Sequence, residues 1–204
     1  GFLVNFSRSR VLKNQAAELY SWSPFLVNGF HELERFGRIV PLKNLPGNIV
    51  RNGDFQAKNW PAWGKWQKQY IKSGEKREQD FQTFVFADKS LKLAYDGREN
   101  RGISVGQTLY KLVPGKKYRL TYYVKLENVV PLKRGGGACL QIWNTKKNFW
   151  FPVTRLTGTM PWTLQTFEFQ SLPDSEPKTT GLNCCLFFAS GTAWFGGITL
   201  EEIP

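Results

Sequence analysis

The sequence predicts an all-β chain folded as an antiparallel two-sheet β-sandwich. From Ile49 onward, short segments rich in β-branched and aromatic residues recur, many with alternating polarity. The turn sequences "VPG", "RGGG", "SLPDSEPKTTG" and "SG" separate them. No amphipathic helix intervenes, which removes the parallel α/β classes, whose crossovers require one. Many short strands at regular spacing leave a sandwich.

In chain order, residues 1–46 read as a separate piece. "GFLVNFSRSRVL" suggests a strand and turn, and "NQAAELYSW" has weak helical character with Asn14 as a cap. The following stretch is interrupted by Pro24, Gly29, Gly37, Pro41 and Pro46, so no periodic stripe is long enough for an independent domain. The expectation is a linker, or the tail of a preceding domain, packed as a strap on a main domain at 47–204. The chain opens without Met and begins like the middle of a strand, which favours a piece of a longer protein over a processed one.

Within 47–204 the expected strands are "FQTFVFA", "SLKLAYD", "GISVGQTLY", "KKYRLTYYVKLE", "ACLQIWN", "FWFPVTRL", "WTLQTFEFQ", "NCCLFFA" and "TAWFGGITLEEI". Alternation places Tyr118, Leu120, Tyr122, Val124 and Leu126 on one face, read as core, and Arg119, Thr121, Tyr123 and Lys125 on the other. By the same rule Ala138, Leu140 and Ile142 face inward, while Cys139, Gln141 and Trp143 face outward on what is expected to be a neighbouring strand. "KSGEKREQD", "LKRGGG" and "NTKKN" read as charged loops.

The bulk numbers bound the function. At 204 residues, with 41% hydrophobic side chains, the chain can bury one substantial core. Its 16 Phe, 8 Trp and 7 Tyr exceed what such a core requires, so some rings are expected at the surface. No apolar run approaches the length of a membrane-spanning helix. A net charge of +12 attracts polyanions without selecting one. Three cysteines, Cys139, Cys184 and Cys185, are too few for a disulfide scaffold. At most one of the adjacent pair can approach Cys139 across a sheet, and buried thiols are the expectation.

Four segments carry a family resemblance. "GNIVRNGDFQ" at 47–56, "LVPGKKYRLTYYVKLE" at 112–127, "WTLQTFEFQ" at 162–170 and "SGTAWFGGITLEEI" at 190–203 resemble the opening strand, the PG hairpin and its strand, the late strand and the closing strand of the jelly-roll carbohydrate-binding modules around families 4, 9, 16 and 22. The resemblance implies a galactose-binding-domain-like jelly roll, a glycan groove on the concave sheet, and attachment to a secreted glycoside hydrolase. An extracellular, periplasmic or cell-surface monomer, working beside an adjacent catalytic domain, follows from it. Many members also hold a structural calcium near the opening and closing strands. Here Gln56 stands where the usual "NGDFE" ends in an acid, and Gly196 and Gly197 replace two further acids. Since Ca²⁺ needs several hard oxygen ligands, the expectation is no cofactor and no metal.

Sugar binding needs flat rings beside groups that satisfy hydroxyls. "NWPAWGKWQKQY" offers Trp60, Trp63, Trp66 and Tyr70, and "QIWNTKKNFWF" offers Gln141, Trp143 and Trp150 beside a basic loop. Trp60 is read as a plug at the sandwich end, whereas Trp63, Trp143 and Trp150 are stacking candidates. Tyr123 is a further platform or a packed ring. Asp96 and Arg98, in "YDGREN", either bind hydroxyls or form a solvated turn. Trp162 and Trp194 are read as structural.

Enzymatic chemistry is disfavoured. The single His31 lies in "HELER", where Arg35 replaces the second histidine of a zinc-protease helix. Nucleic acid is disfavoured because Lys and Arg are scattered and no recognisable motif groups them. The expected function is non-catalytic binding of a polysaccharide or oligosaccharide, with a purely structural brace for a neighbouring catalytic domain as the alternative and polyanion binding behind it.

Overall fold

A computed structural model describes residues 47–57, 63, 74–85, 89–144, 146, 149–150, 155–173 and 177–204, with backbone alone at 149–150. The described residues all fall within the compact unit Leu42–Pro204, and the expected strap at 1–46 lies outside them.

The predicted antiparallel sandwich is what the described residues form. The strands are β1 (Glu75–Asp80), β2 (Ser90–Tyr95), β3 (Ile103–Thr108), β4 (Lys117–Pro131), β5 (Gly137–Asn144), β6 (Phe149–Trp150), β7 (Gly158–Gln170), β8 (Thr180–Phe187) and β9 (Ala189–Ile203). They make a five-stranded sheet in the order β1-β2-β9-β4-β7 and a four-stranded sheet in the order β3-β8-β5-β6. This is a jelly-roll arrangement, with successive strands passing between layers.

The core follows the expected alternation. Tyr118, Leu120, Tyr122, Val124 and Leu126 of β4 are buried with Leu91 and Leu93 of β2 and Phe195 and Leu200 of β9. Ile103, Val105, Leu140, Ile142, Leu182, Cys184 and Leu186, from the second sheet, complete the same cluster. Inward residues are therefore spaced by two along both layers, as a half-buried strand requires.

Two expected elements differ. "EKREQD", read as part of a loop, is edge strand β1, whereas "FQTFV" at 81–85 is a bend. An edge strand pairs through its backbone on one side only, and charge there blocks unwanted pairing. Here Glu75 is buried between Arg77, at 2.9 Å, and Arg101.

The closing strand explains its glycines. Opposite β4, Thr121 pairs with Thr199 but Tyr123 pairs with Gly196, so Gly197 and Ile198 together face Tyr122 alone. Gly197 takes φ +60°, the left-handed region that a bulge of this kind asks for. The extra residue restores the inward phase, so Phe195 before the bulge and Ile198 and Leu200 after it all reach the core.

Candidate functional site

The outer face of the four-stranded sheet brings side chains together in rows. Register aligns Ser104, Cys185 and Cys139, then Gly106, Asn183 and Gln141, then Thr108, Gly181 and Trp143. Ile103, Val105, Ala138, Leu140, Ile142, Leu182, Cys184 and Leu186 alternate with these positions and lie in the core, so the rows face away from it. From Phe187 to Gly181 the face runs about 20 Å at strand spacing.

At one end of this face the Trp143 indole lies on Gly181. A β-carbon at Gly181 would come within 2.5 Å of Trp143 Cε2 and 2.6 Å of Cζ2, so only glycine lets the ring rest flat on the neighbouring strand. Trp143 itself is half-buried. Beneath it, Asn144 donates through Nδ2 to Thr179 Oγ1 at 3.1 Å and to Thr180 Oγ1 at 2.9 Å. These bonds tie the end of β5 to the start of β8 and hold the platform in place.

The middle of the face is polar. Gln141 and Asn183 stand opposite each other, both 8% exposed. Gln141 Oε1 accepts from the Cys185 thiol at 3.8 Å. The Asn183 amide lies over Gly106, and its buried Oδ1 accepts no hydrogen bond among the described residues. A buried acceptor without a donor costs free energy on the order of 1–3 kcal/mol. At the far end Arg155 lies 4.1 Å over the Phe187 ring.

The sequence-predicted residues separate. Gln141 and Trp143 share this face, and the β6 backbone at Trp150 pairs opposite Trp143 while its side chain lies outside the described set. Tyr123 does face outward, but from the five-stranded sheet, where it is 4% exposed. It does not adjoin Trp143, and of the two readings, platform or packed ring, its burial favours the packed ring. Trp63 is corrected: it is 0% exposed, packs 5.1 Å from Phe55 and donates Nε1–H to the Asn52 carbonyl at 2.8 Å. Trp60, Trp66 and Tyr70 lie outside the described residues.

Asp96 and Arg98 are exposed on the turn leaving β2, towards the Phe187 end. Arg98 Nε meets Asp96 Oδ2 at 2.7 Å, and the Arg98 amide donates to Asp96 Oδ1 at 3.1 Å, so the two close a turn on each other. They are not brought to Trp143. Asn183, Ser104 and Cys185 are the residues sequence reasoning missed; the alternation of "NCCLF" places Asn183 and Cys185 together, but their cross-strand partners emerge only from register.

Among the described residues, the opening loop does not fit a calcium ion. Its carbonyls already accept from protein donors: Asp54 O from Gln56 Nε2 at 2.8 Å, Phe55 O from Gln79 Nε2 at 2.5 Å, Ala57 O from the same amide at 3.2 Å, and Gln56 O from Lys89 Nζ at 3.1 Å. Ca²⁺ takes six to eight oxygens, preferably anionic. An ammonium and two amides here occupy the oxygens such an ion would need.

Known structures share the fold. No protein-family model matches the chain, and a sequence search of curated proteins finds no match. A structure titled "Family 16 Carbohydrate Binding Module-2" aligns with TM-score 0.51 at 22% identity, covering 76% of this chain and 100% of that one. The CBM22-1 xylan-binding domain from Paenibacillus barcinonensis aligns with TM-score 0.51 at 11% identity, covering 74% and 92%. A Stig cyclase from Fischerella sp. TAU aligns with TM-score 0.56 at 13% identity, covering 77% and 97%, so this architecture hosts an enzyme as well as binding modules. Against the bacteriophage CBA120 tailspike protein 4, matched at TM-score 0.55 and 13% identity over 77% of this chain, the chain spans 22% of the other's length. At these identities the likeness establishes the jelly-roll sandwich common to several carbohydrate-binding families.

Proposed function

We propose that the outer face of the four-stranded sheet binds a polysaccharide or oligosaccharide chain without chemical change. The observation that carries this reading is the alignment of Trp143, flat on Gly181, with the Gln141–Asn183 amide pair one row away. An indole stacks on the C–H face of a sugar, and amides on the adjoining row satisfy its hydroxyls. The likeness to carbohydrate-binding modules supports the same reading.

In this proposal the chain is a secreted or cell-surface accessory to a carbohydrate-active enzyme. Tethering raises the enzyme's local concentration on its substrate, as linked sites do. Residues 1–46 then join the module to its neighbour. A second reading, a brace with no ligand, is favoured by one observation: Gln141, Asn183, Cys139 and Cys185 are all buried on the face that would serve as the groove.

Affinity electrophoresis against neutral and acidic polysaccharides, at low and high salt, decides between them. Retardation by a neutral glycan that survives salt and falls at least tenfold in Trp143→Ala supports the stacking face. Retardation that collapses with salt marks polyanion attraction by the +12 charge instead. Absence of retardation with any glycan moves the assignment to the brace.

A further inference from the structure

We propose that Cys139 and Cys185 form a redox modification site: they are directly opposed across β5 and β8 on the outer face and close to a disulfide by exchange with a low-molecular-weight disulfide. The inference is independent of glycan binding. Cys139 and Cys185 are register partners, whereas Cys184 is opposite Leu140 and points into the core. Directly opposed residues of an antiparallel pair have Cα atoms about 4.5–5.5 Å apart. A disulfide spans about 4.4–6.8 Å between Cα atoms, so closure needs no change of register. Cys184 meets neither condition, because its side chain leaves the opposite face of β8.

The three thiols are free and buried, Cys139 and Cys185 each 2% exposed, so exchange proceeds through local opening of the native sheet, and their surroundings differ. The Cys185 thiol beside it, opposed by burial and helped by the Arg155 guanidinium, holds the Cys139 thiol below its ordinary value. The same pairing, together with burial, pushes Cys185 well up, and burial alone does most of this for Cys184. Cys139 is therefore the attacking sulfur, since the thiolate is the nucleophile.

The Cys139 thiolate attacks one sulfur of oxidised glutathione, whose S–S bond breaks to release one glutathione thiolate that takes up a proton. Cys185 then loses its proton and attacks the Cys139 sulfur of the mixed disulfide, expelling the second glutathione. Two protein thiols are oxidised, and one glutathione disulfide is reduced to two thiols. The bond would cross the floor of the face, one row from Gln141 and Asn183.

The test incubates the native protein with oxidised glutathione at mildly alkaline pH, with intrinsic fluorescence reporting that the fold persists. Titratable thiols should fall from three to one, with loss of two hydrogens in intact mass and recovery on reduction. Fragmentation of the linked peptides of the unaltered chain should place the bond at Cys185 rather than Cys184. Cys184→Ala should still close, and Cys139→Ser should not. Three thiols retained in the native state, a persistent glutathione adduct, a bond at Cys184, or closure only in denaturant would each overturn the proposal.

Discussion

The two outer faces of this sandwich carry aromatic side chains in opposite ways. On the five-stranded sheet, Trp194 sits between Lys92 and Lys125, whose ammonium groups lie 5.7 and 5.4 Å from its ring, and donates Nε1–H to Asp80 Oδ2 at 2.8 Å. Tyr123 and Trp162 beside it are buried too. On the four-stranded sheet, Trp143 rests on bare backbone at Gly181, one row from Gln141 and from Asn183, whose Oδ1 accepts no hydrogen bond among the described residues. The face richer in rings is the one whose rings are buried and partnered within the protein. If the proposed reading holds, a binding face is set by a ring seated on glycine beside polar side chains, not by the number of rings.

The largest effect that would break this contrast is thermodynamic. Trp194→Ala should lower unfolding free energy by about 3–5 kcal/mol, as removal of a large buried ring does, while leaving glycan retardation unchanged after refolding is verified. Chemical denaturation supplies the first quantity and affinity electrophoresis the second. Next in size, Gly181→Val should push the Trp143 indole off its strand and weaken glycan binding at least as much as Trp143→Ala. If binding persists in Gly181→Val, the flat seat is irrelevant to the site.

A smaller effect tests the loop that replaces an ion site. Lys89→Met leaves the Gln56 carbonyl without its charged donor and should cost about 1–3 kcal/mol. The melting temperature of the unaltered protein should be the same with added calcium and with chelator, because protein donors already occupy those carbonyls.

The smallest effect is in pH. Burial raises the Asp80 carboxyl, but hydrogen bonds from Trp194 and from the Gln82 and Thr83 amides, with Lys92 nearby, outweigh it and hold the group below the usual carboxylate value. A carboxylate depressed on folding stabilises the native state above its unfolded value, about 3.9, and loses that contribution as pH falls through the folded value. Trp194→Phe removes the indole donor. The stability gap between it and the unaltered protein should be full at pH 6 and shrink in acid, as read from urea unfolding at several pH values.

Much of this architecture was legible because period-two patterns report a face directly. The β4 residues Tyr118 to Leu126 occupy the core as alternation requires, and Gln141 with Trp143 point outward as expected. Alternation does not say which sheet a strand joins. That is why Tyr123 and Trp143, both outward, lie on opposite sides of the molecule. Trp63 misled for another reason: a ring in a turn-rich segment reads as exposed, yet its indole N–H finds the Asn52 carbonyl and its body fills the core beside Phe55. Edge strand β1 was hidden by charge, since its pairing with β2 depends on backbone and leaves side chains free to be polar. Gly197 carried a legible signal of another kind, for a glycine inside a strand marks a bulge as readily as a lost ligand.

The central claim, that the four-stranded sheet presents the binding face, is tested most directly by mapping backbone amide chemical shifts as a glycan identified by electrophoresis is titrated in. Shifts should concentrate at Gln141, Trp143, Gly181 and Asn183, with Tyr123, Trp162 and Trp194 unmoved. Shifts confined to the Trp194 side, with the Trp143 row silent, would contradict the claim.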